Sequence, residues 1–302
     1  MLFPGFREET ISVSHDFGTD IALHVRIGGN GPPLLLLHGY PQTGAMWHRI
    51  APQLAERFTV IVPDLRGYGA SAKPDSDAAH LTYSKRATAA DMAALMSNLG
   101  YDAFQVAGHD RGARVTHRLC LDHPDRVLKA AVLDIVPTRT LFATATQAVA
   151  LAYYHWYFLA QPAPYPETLI GANPIYYFRH TVGGLSQSGS GFFDPAAQTE
   201  YEAAFADPAV IHASCEDYRA AATIDLDHDN ADIDTPVACP LLVLWGEYAP
   251  MHKHYKVLTT WQERGRRVEG HPIAAGHFLA EENPQDTLDA LLPFFTEGHS
   301  AS

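Results

Sequence analysis

The stretch "VAGHDRGARV", Val106 to Val115, reads as a buried strand that runs into a Gly-x-Asp-x-Gly turn and leaves as a helix, with Asp110 at the apex. Gly108 and Gly112 flank that apex because a strained turn tolerates little beside it. An elbow of this kind lifts its side chain above the carboxyl ends of a parallel sheet, where open α/β folds bind their ligands. The stretch therefore predicts an α/β protein and marks Asp110 as a candidate reacting group.

Outward from the elbow, short apolar runs recur at 33–39 ("PLLLLHG"), 58–64 ("FTVIVPD"), 129–136 ("KAAVLDIV") and 240–246 ("PLLVLWG"). Runs of this length suit strands covered on both faces. Between them lie helical patterns, the clearest with Met92, Leu95, Met96 and Leu99 on one face and Gly100 as the stop. Residues 10–27 alternate around "DFGTD" and predict an N-terminal hairpin. The rhythm breaks after Val136 and resumes at Pro240. The intervening segment holds nearly half of the chain's aromatic residues, in "YYHWYF", "IYYFRH" and "GFF". The expected organisation is a core formed by 1–138 and 224–302, with a helical cap at 139–223 inserted between its last strands.

Bulk properties narrow the function. A chain of 302 residues can bury a sizeable core. Its 34 acidic against 21 basic residues give a net charge of −13, which disfavours nucleic acid or an anionic membrane as partner. The start, "MLFPGFREET", has neither a basic n-region nor an apolar h-region, and no run of 18 apolar residues occurs, so the expectation is a soluble cytoplasmic protein. Cys120, Cys215 and Cys239 are odd in number and far apart, which suits reduced thiols. There is no HExxH, and "HKH" at 252–254 is a weak metal signal, so neither metal nor cofactor is expected.

"HGYPQT" at 38–43, "DLRGYGAS" at 64–71, "GHDRGARV" at 108–115 and "AGHF" at 275–278 together resemble the α/β-hydrolase superfamily, in the branch with an aspartate nucleophile. Arginines at 111 and 114, "HW" at 155–156 and "CEDYRA" at 215–220 resemble the haloacetate (fluoroacetate) dehalogenases within it. That resemblance implies an α/β-hydrolase fold, mostly parallel, flanked by helices and carrying an inserted helical cap. It also implies hydrolysis of a short 2-halo acid, with fluoroacetate giving glycolate and fluoride, in a homodimer.

The chemistry can be built from the residues as well. A carboxylate at Asp110 can displace halide from carbon and form an enzyme ester. Cleaving that ester with water needs a base near neutrality, for which His277 is the candidate, and the base needs an orienting acid. Many relatives carry an Asp after the strand ending in "WG", but this chain has "WGEYAP", which leaves Asp134 and Glu247. The haloacetate dehalogenase pattern favours Asp134, and a buried Asp at a strand terminus otherwise lacks a reason. Arg111 stands where haloalkane dehalogenases carry a halide-holding Trp, and Arg114 follows one helical turn later. Both are candidates to hold a small anionic substrate by its carboxylate. The resemblance assigns the departing halide to His155, Trp156 and Tyr218, which donate from ring nitrogens or a hydroxyl. Backbone amides of Tyr40 and Arg111 are the candidate oxyanion donors, and His38 is expected to brace its loop. Two alternatives stay open: an epoxide hydrolase with the same Asp–His–acid set and two cap tyrosines, or a non-catalytic receptor on a hydrolase fold.

Overall fold

The computed structural model describes residues 2–15, 17, 20–186, 189 and 191–297. Eight strands form one sheet: β1 (Arg7–Val13), β2 (Ile21–Gly28), β3 (Pro33–Leu37), β4 (Thr59–Pro63), β5 (Phe104–His109), β6 (Val127–Leu133), β7 (Val237–Gly246) and β8 (Gly265–Ile273). Their spatial order is β1-β2-β4-β3-β5-β6-β7-β8. The first two pairings, β1 with β2 and β2 with β4, are antiparallel, and all the others are parallel. The expected hairpin is thus β1 and β2, although Asp16, Gly18 and Thr19 of its "DFGTD" turn lie outside the described residues.

The central strands are apolar because helices cover both their faces; β5 is buried at all six positions. β8, "GRRVEGHPI", eluded the search for apolar runs. It lies at the sheet's edge, and most of its side chains are half-buried or exposed, so it carries polar residues that a central strand could not. The helix Lys85–Asn98 buries Met92, Leu95 and Met96, is capped by the Ser84 hydroxyl on the Ala87 amide, and gives way at Gly100, whose φ is +84°.

Between β6 and β7 the described residues form eight helices, from Thr138–Ala143 to Ile224–Ala231. Leu141, His155, Trp156 and Leu185 from these helices gather round the residues that follow β5 and β6, and the expected boundary at 223 falls at the junction of the last two helices. No helix among the described residues is long and apolar enough to cross a membrane.

Candidate active site

Asp110 and Asp134 sit at equivalent places. His109 of β5 pairs with Leu133 of β6, and each carboxylate is the residue that follows. Both have positive φ, +46° for Asp110 and +54° for Asp134, conformations that an L residue holds only where the surroundings enforce them. At Asp110 the enforcement comes from close packing. A Cβ at Gly112 would collide with the backbone of Leu37 and His38, and one at Gly108 with the first turn of the helix Arg111–Asp122.

The amide of Tyr40 donates to Asp110 Oδ2 at 3.0 Å. Its loop is braced by His38, whose Nδ1 lies 3.0 Å from the Gly39 carbonyl and whose Nε2 accepts the Leu65 amide at 2.9 Å. Arg111 opens the helix directly beside Asp110, where a first-turn amide has no intrahelical acceptor. Burial would raise the Asp110 pKa, but His277, His109, Arg111 and Arg114 together hold it below the ordinary value.

His277 Nδ1 donates to Asp134 Oδ2 at 2.6 Å, while Asp134 Oδ1 accepts the Gly246 amide at 3.0 Å. Glu247, the other candidate acid, is exposed on the loop beyond β7. Burial works against a charge on His277, yet the Asp134 hydrogen bond and the charges of Asp134 and Asp110 raise its pKa overall. Its loop is fixed from three sides. His109 Nε2 donates to the His277 carbonyl at 2.8 Å, the His277 amide donates to the Leu185 carbonyl at 3.2 Å, and Glu282 accepts the amides of Gly276 and Phe278 at 3.0 Å each.

From the inserted helices come His155, Trp156 and Tyr218, all buried. Tyr218 stands edge-on to both others, with ring centroids 5.3 Å from Trp156 and 5.7 Å from His155. Burial lowers the His155 pKa to about 3 and raises that of Tyr218 well above 10, so both are neutral across the working range. The Tyr218 hydroxyl is buried without a hydrogen-bond partner among the described residues, and so is that of Tyr153.

The two arginines are placed differently. Arg114 donates through Nη1 to the Val136 carbonyl and the Thr138 hydroxyl, both at 3.0 Å, with its guanidinium 4.4 Å from the Trp156 ring centre. Burial lowers its pKa to about 10, which leaves it charged. Arg111 already spends one edge on protein: Nε and Nη2 each reach an Asp217 carboxylate oxygen at 2.8 Å. Only Nη1 is left, buried and unpartnered, with the guanidinium 4.2 Å from the Tyr218 ring centre. That edge is therefore already engaged, and the arm of Arg111 left for an anion is Nη1.

Most of these groups line one small cavity, formed by Asp110, Arg114, Asp134, His155, Trp156 and His277 together with Tyr40, Tyr153, Leu141, Leu185 and Met251, while Arg111 and Tyr218 stand behind that lining. Sequence reasoning did not single out Asp217, Tyr153 or His109 as site residues. Asp217 stands within "CEDYRA" and His109 within "GHDRGA", so both motifs were seen, but nothing local reveals what either side chain reaches. Of "HKH", His252 accepts the Trp245 indole N–H at 2.8 Å. Among the described residues no group of three or more His, Cys, Asp or Glu side chains could hold a metal ion.

Residues 32–284 match the family model of the alpha/beta hydrolase fold. The chain is 44% identical to a fluoroacetate dehalogenase from a Burkholderia species, over 99% of this chain and 97% of that one. It is 34% identical to a soluble epoxide hydrolase from a Corynebacterium species, over 90% of this chain and 93% of that one. Among solved structures, a protein from Nostoc sp. PCC 7120 described as an α/β hydrolase superposes with a TM-score of 0.95 at 51% identity, covering 98% of this chain and 100% of that one.

Proposed function

The chain belongs to the α/β-hydrolase family, on a branch it shares with a fluoroacetate dehalogenase, and from that premise we propose that it hydrolyses the carbon–halogen bond of short 2-halo acids such as fluoroacetate. The observation that carries this reading is the elbow carboxylate Asp110 sharing one small cavity with a charged arginine and the buried aromatics His155 and Trp156, with the Tyr218 hydroxyl and Arg111 packed beside them. The acid set of a neutral-ester hydrolase would not need the cations.

In the first step the Asp110 oxygen not held by Tyr40 attacks C2 of the substrate, and the halide leaves with the bonding electrons. Arg114 and the free arm of Arg111 hold the carboxylate. His155, Trp156 and Tyr218 donate to the departing halide, and because they are neutral they stabilise charge that develops only in the transition state. In the second step His277 Nε2 takes a proton from water, and the resulting hydroxide attacks the Asp110 carbonyl carbon. The amides of Tyr40 and Arg111 meet the oxyanion. Collapse returns Asp110 and releases the 2-hydroxy acid, while Asp134 stabilises the imidazolium formed on His277.

The hydroxyls of Tyr153 and Tyr218 support a second reading. Two unpartnered cap hydroxyls beside the nucleophile are what protonation of an epoxide oxygen would use, and an epoxide hydrolase is among the relatives. Incubation with fluoroacetate, chloroacetate and a styrene-type epoxide, with free halide and diol measured together, separates the two. Halide without diol is the expected result; diol alone would replace the proposal.

A further inference from the structure

Arg111 is held by a line of buried charge that crosses the seam between the inserted helices and the core. Asp217, on the inserted helix Pro208–Ala222, is 4% exposed and takes Arg111 by Nε and Nη2, with a third bond from Nη2 to its own carbonyl at 2.8 Å. The same carboxylate pairs with the Lys85 ammonium from the core helix and accepts the Tyr68 hydroxyl at 2.8 Å. Lys85 in turn lies 3.8 Å from Asp225, which also accepts the Lys85 amide at 2.8 Å. Two cations and two acids thus alternate without access to water. Burial would raise the Asp217 pKa, but Arg111 and Lys85 pull it far below the carboxylate range.

None of Asp217, Lys85 and Asp225 is among the residues lining the catalytic cavity. What they do there follows from the position of Arg111, next in sequence to the nucleophile. A guanidinium with no partner on either edge is not held in one place in a dry site and turns to whichever acceptor offers itself. Turned in that way, the cation would no longer be open to substrate. We propose that Asp217 is a positioning residue for substrate charge: it occupies the Nε/Nη2 edge of Arg111, fixes the guanidinium in place, and leaves Nη1 as the arm that selects a carboxylate-bearing substrate over a neutral one of equal size. This rests on the dehalogenase reading for its substrate. The clamp itself can be tested without turnover.

The test compares chloroacetate with chloroacetamide, which matches it in size and leaving group but lacks the charge. Removing one partner of a buried charge pair is costly, so Asp217→Asn should lower kcat/KM for chloroacetate about a hundredfold, chiefly through KM. Chloroacetamide should change by less than about threefold, because it never used the arm. The single variant leaves Lys85 buried and unpaired, so D217N/K85M, which removes one charge of each sign, is measured beside it. It should fold and show the same discrimination loss. Equilibrium binding of glycolate, followed by tryptophan fluorescence, gives the turnover-free arm: wild type binds, and both variants bind at least tenfold more weakly. Equal losses on the two chloro substrates in the double variant would overturn the proposal, and so would unchanged glycolate affinity or a wild type that does not bind glycolate. A wild type that binds glycolate through Asp217 yet releases halide from no haloacetate would overturn the dehalogenase reading and leave the clamp standing.

Discussion

At the scale of single residues, the proposed mechanism divides the labour between two carboxylates that differ only in what surrounds them. Asp110 is held ionised by histidines and arginines, with one oxygen on an amide and the other left to react. Asp134 has its two oxygens committed to His277 and Gly246. The proposed base acts only on the ester, so His277→Asn should release halide once per active site and then stop. Intact-protein mass spectrometry should find one carboxymethyl group added, localised to the peptide containing Asp110. Multiple turnovers by that variant would require another base. The pH profile carries a second expectation. His277 is a base only when unprotonated, and its pKa is raised, so the hydrolytic step should fall as the pH drops through a value above that of an ordinary histidine. Removing the Asp134 charge takes away what raises it. Asp134→Asn should therefore shift the acid limb to lower pH while slowing the hydrolytic step, whereas Glu247→Gln on its exposed loop should leave both unchanged.

At the scale of elements, the proposed function gives anion recognition and halide recognition to different parts of the chain. The helix Arg111–Asp122 supplies both arginines; the inserted helices Tyr154–Leu159 and Pro208–Ala222 supply His155, Trp156 and Tyr218. Fluoride leaves as a compact, strongly hydrated ion, so it should need the donors more than chloride does. Trp156→Phe and Tyr218→Phe are expected to depress fluoroacetate turnover by about 2.7–4 kcal/mol, some hundred- to thousandfold, and chloroacetate turnover much less. Arg114→Met should reduce kcat/KM for both acids alike. Steady-state rates on the two acids decide this, and equal losses in all three variants would leave the aromatics as packing.

At the scale of the whole molecule, the inserted helices are tied to the core by buried polar groups as well as by apolar contact. Besides the Asp217 line there is Glu281, fully buried, whose carboxyl oxygens meet Gln42 of the Tyr40 loop and the Tyr201 hydroxyl of the inserted helix Pro195–Phe205. Among the described residues no cation faces that carboxyl at salt-bridge distance: Arg49 donates instead to the Glu281 carbonyl, at 2.9 Å. Burial accordingly pushes its pKa up to about 8 from an ordinary 4.5. A folded-state pKa above the unfolded one gives stability that is full below about pH 4.5 and is lost as the pH rises through about 8. Glu281→Gln has no such titration. The difference in unfolding free energy between wild type and variant should move by about 3 kcal/mol in favour of the variant from pH 5 to pH 8. Urea midpoints at the two pH values measure it, and parallel curves would mean that Glu281 is ionised in the folded protein.

The sequence by itself determined the parts of this protein that are local or periodic. Apolar runs located five of the strands, β3 to β7, because central strands must be apolar on both faces, and alternation gave β1 and β2 as a hairpin. The elbow was legible because its glycines and its apex are contiguous, and the histidine loop because "AGHF" follows at the expected place. The rest depended on partners far apart in the chain. His277 meets Asp134 across 143 residues and Arg111 meets Asp217 across 106. No spacing rule links such positions, so Asp134 was favoured over Glu247 only through the resemblance and its place at a strand end, the hydrogen bond to His277 belongs to the fold, and the occupied edge of Arg111 was not foreseen. β8 was missed for a related reason: an edge strand is recognised by what it pairs with, and its polar side chains say only that one of its sides is open. Hydrophobic burial leaves a signature in consecutive residues. The pairing of buried charges leaves none, since Coulomb attraction depends on where side chains end up in space and not on their order along the chain.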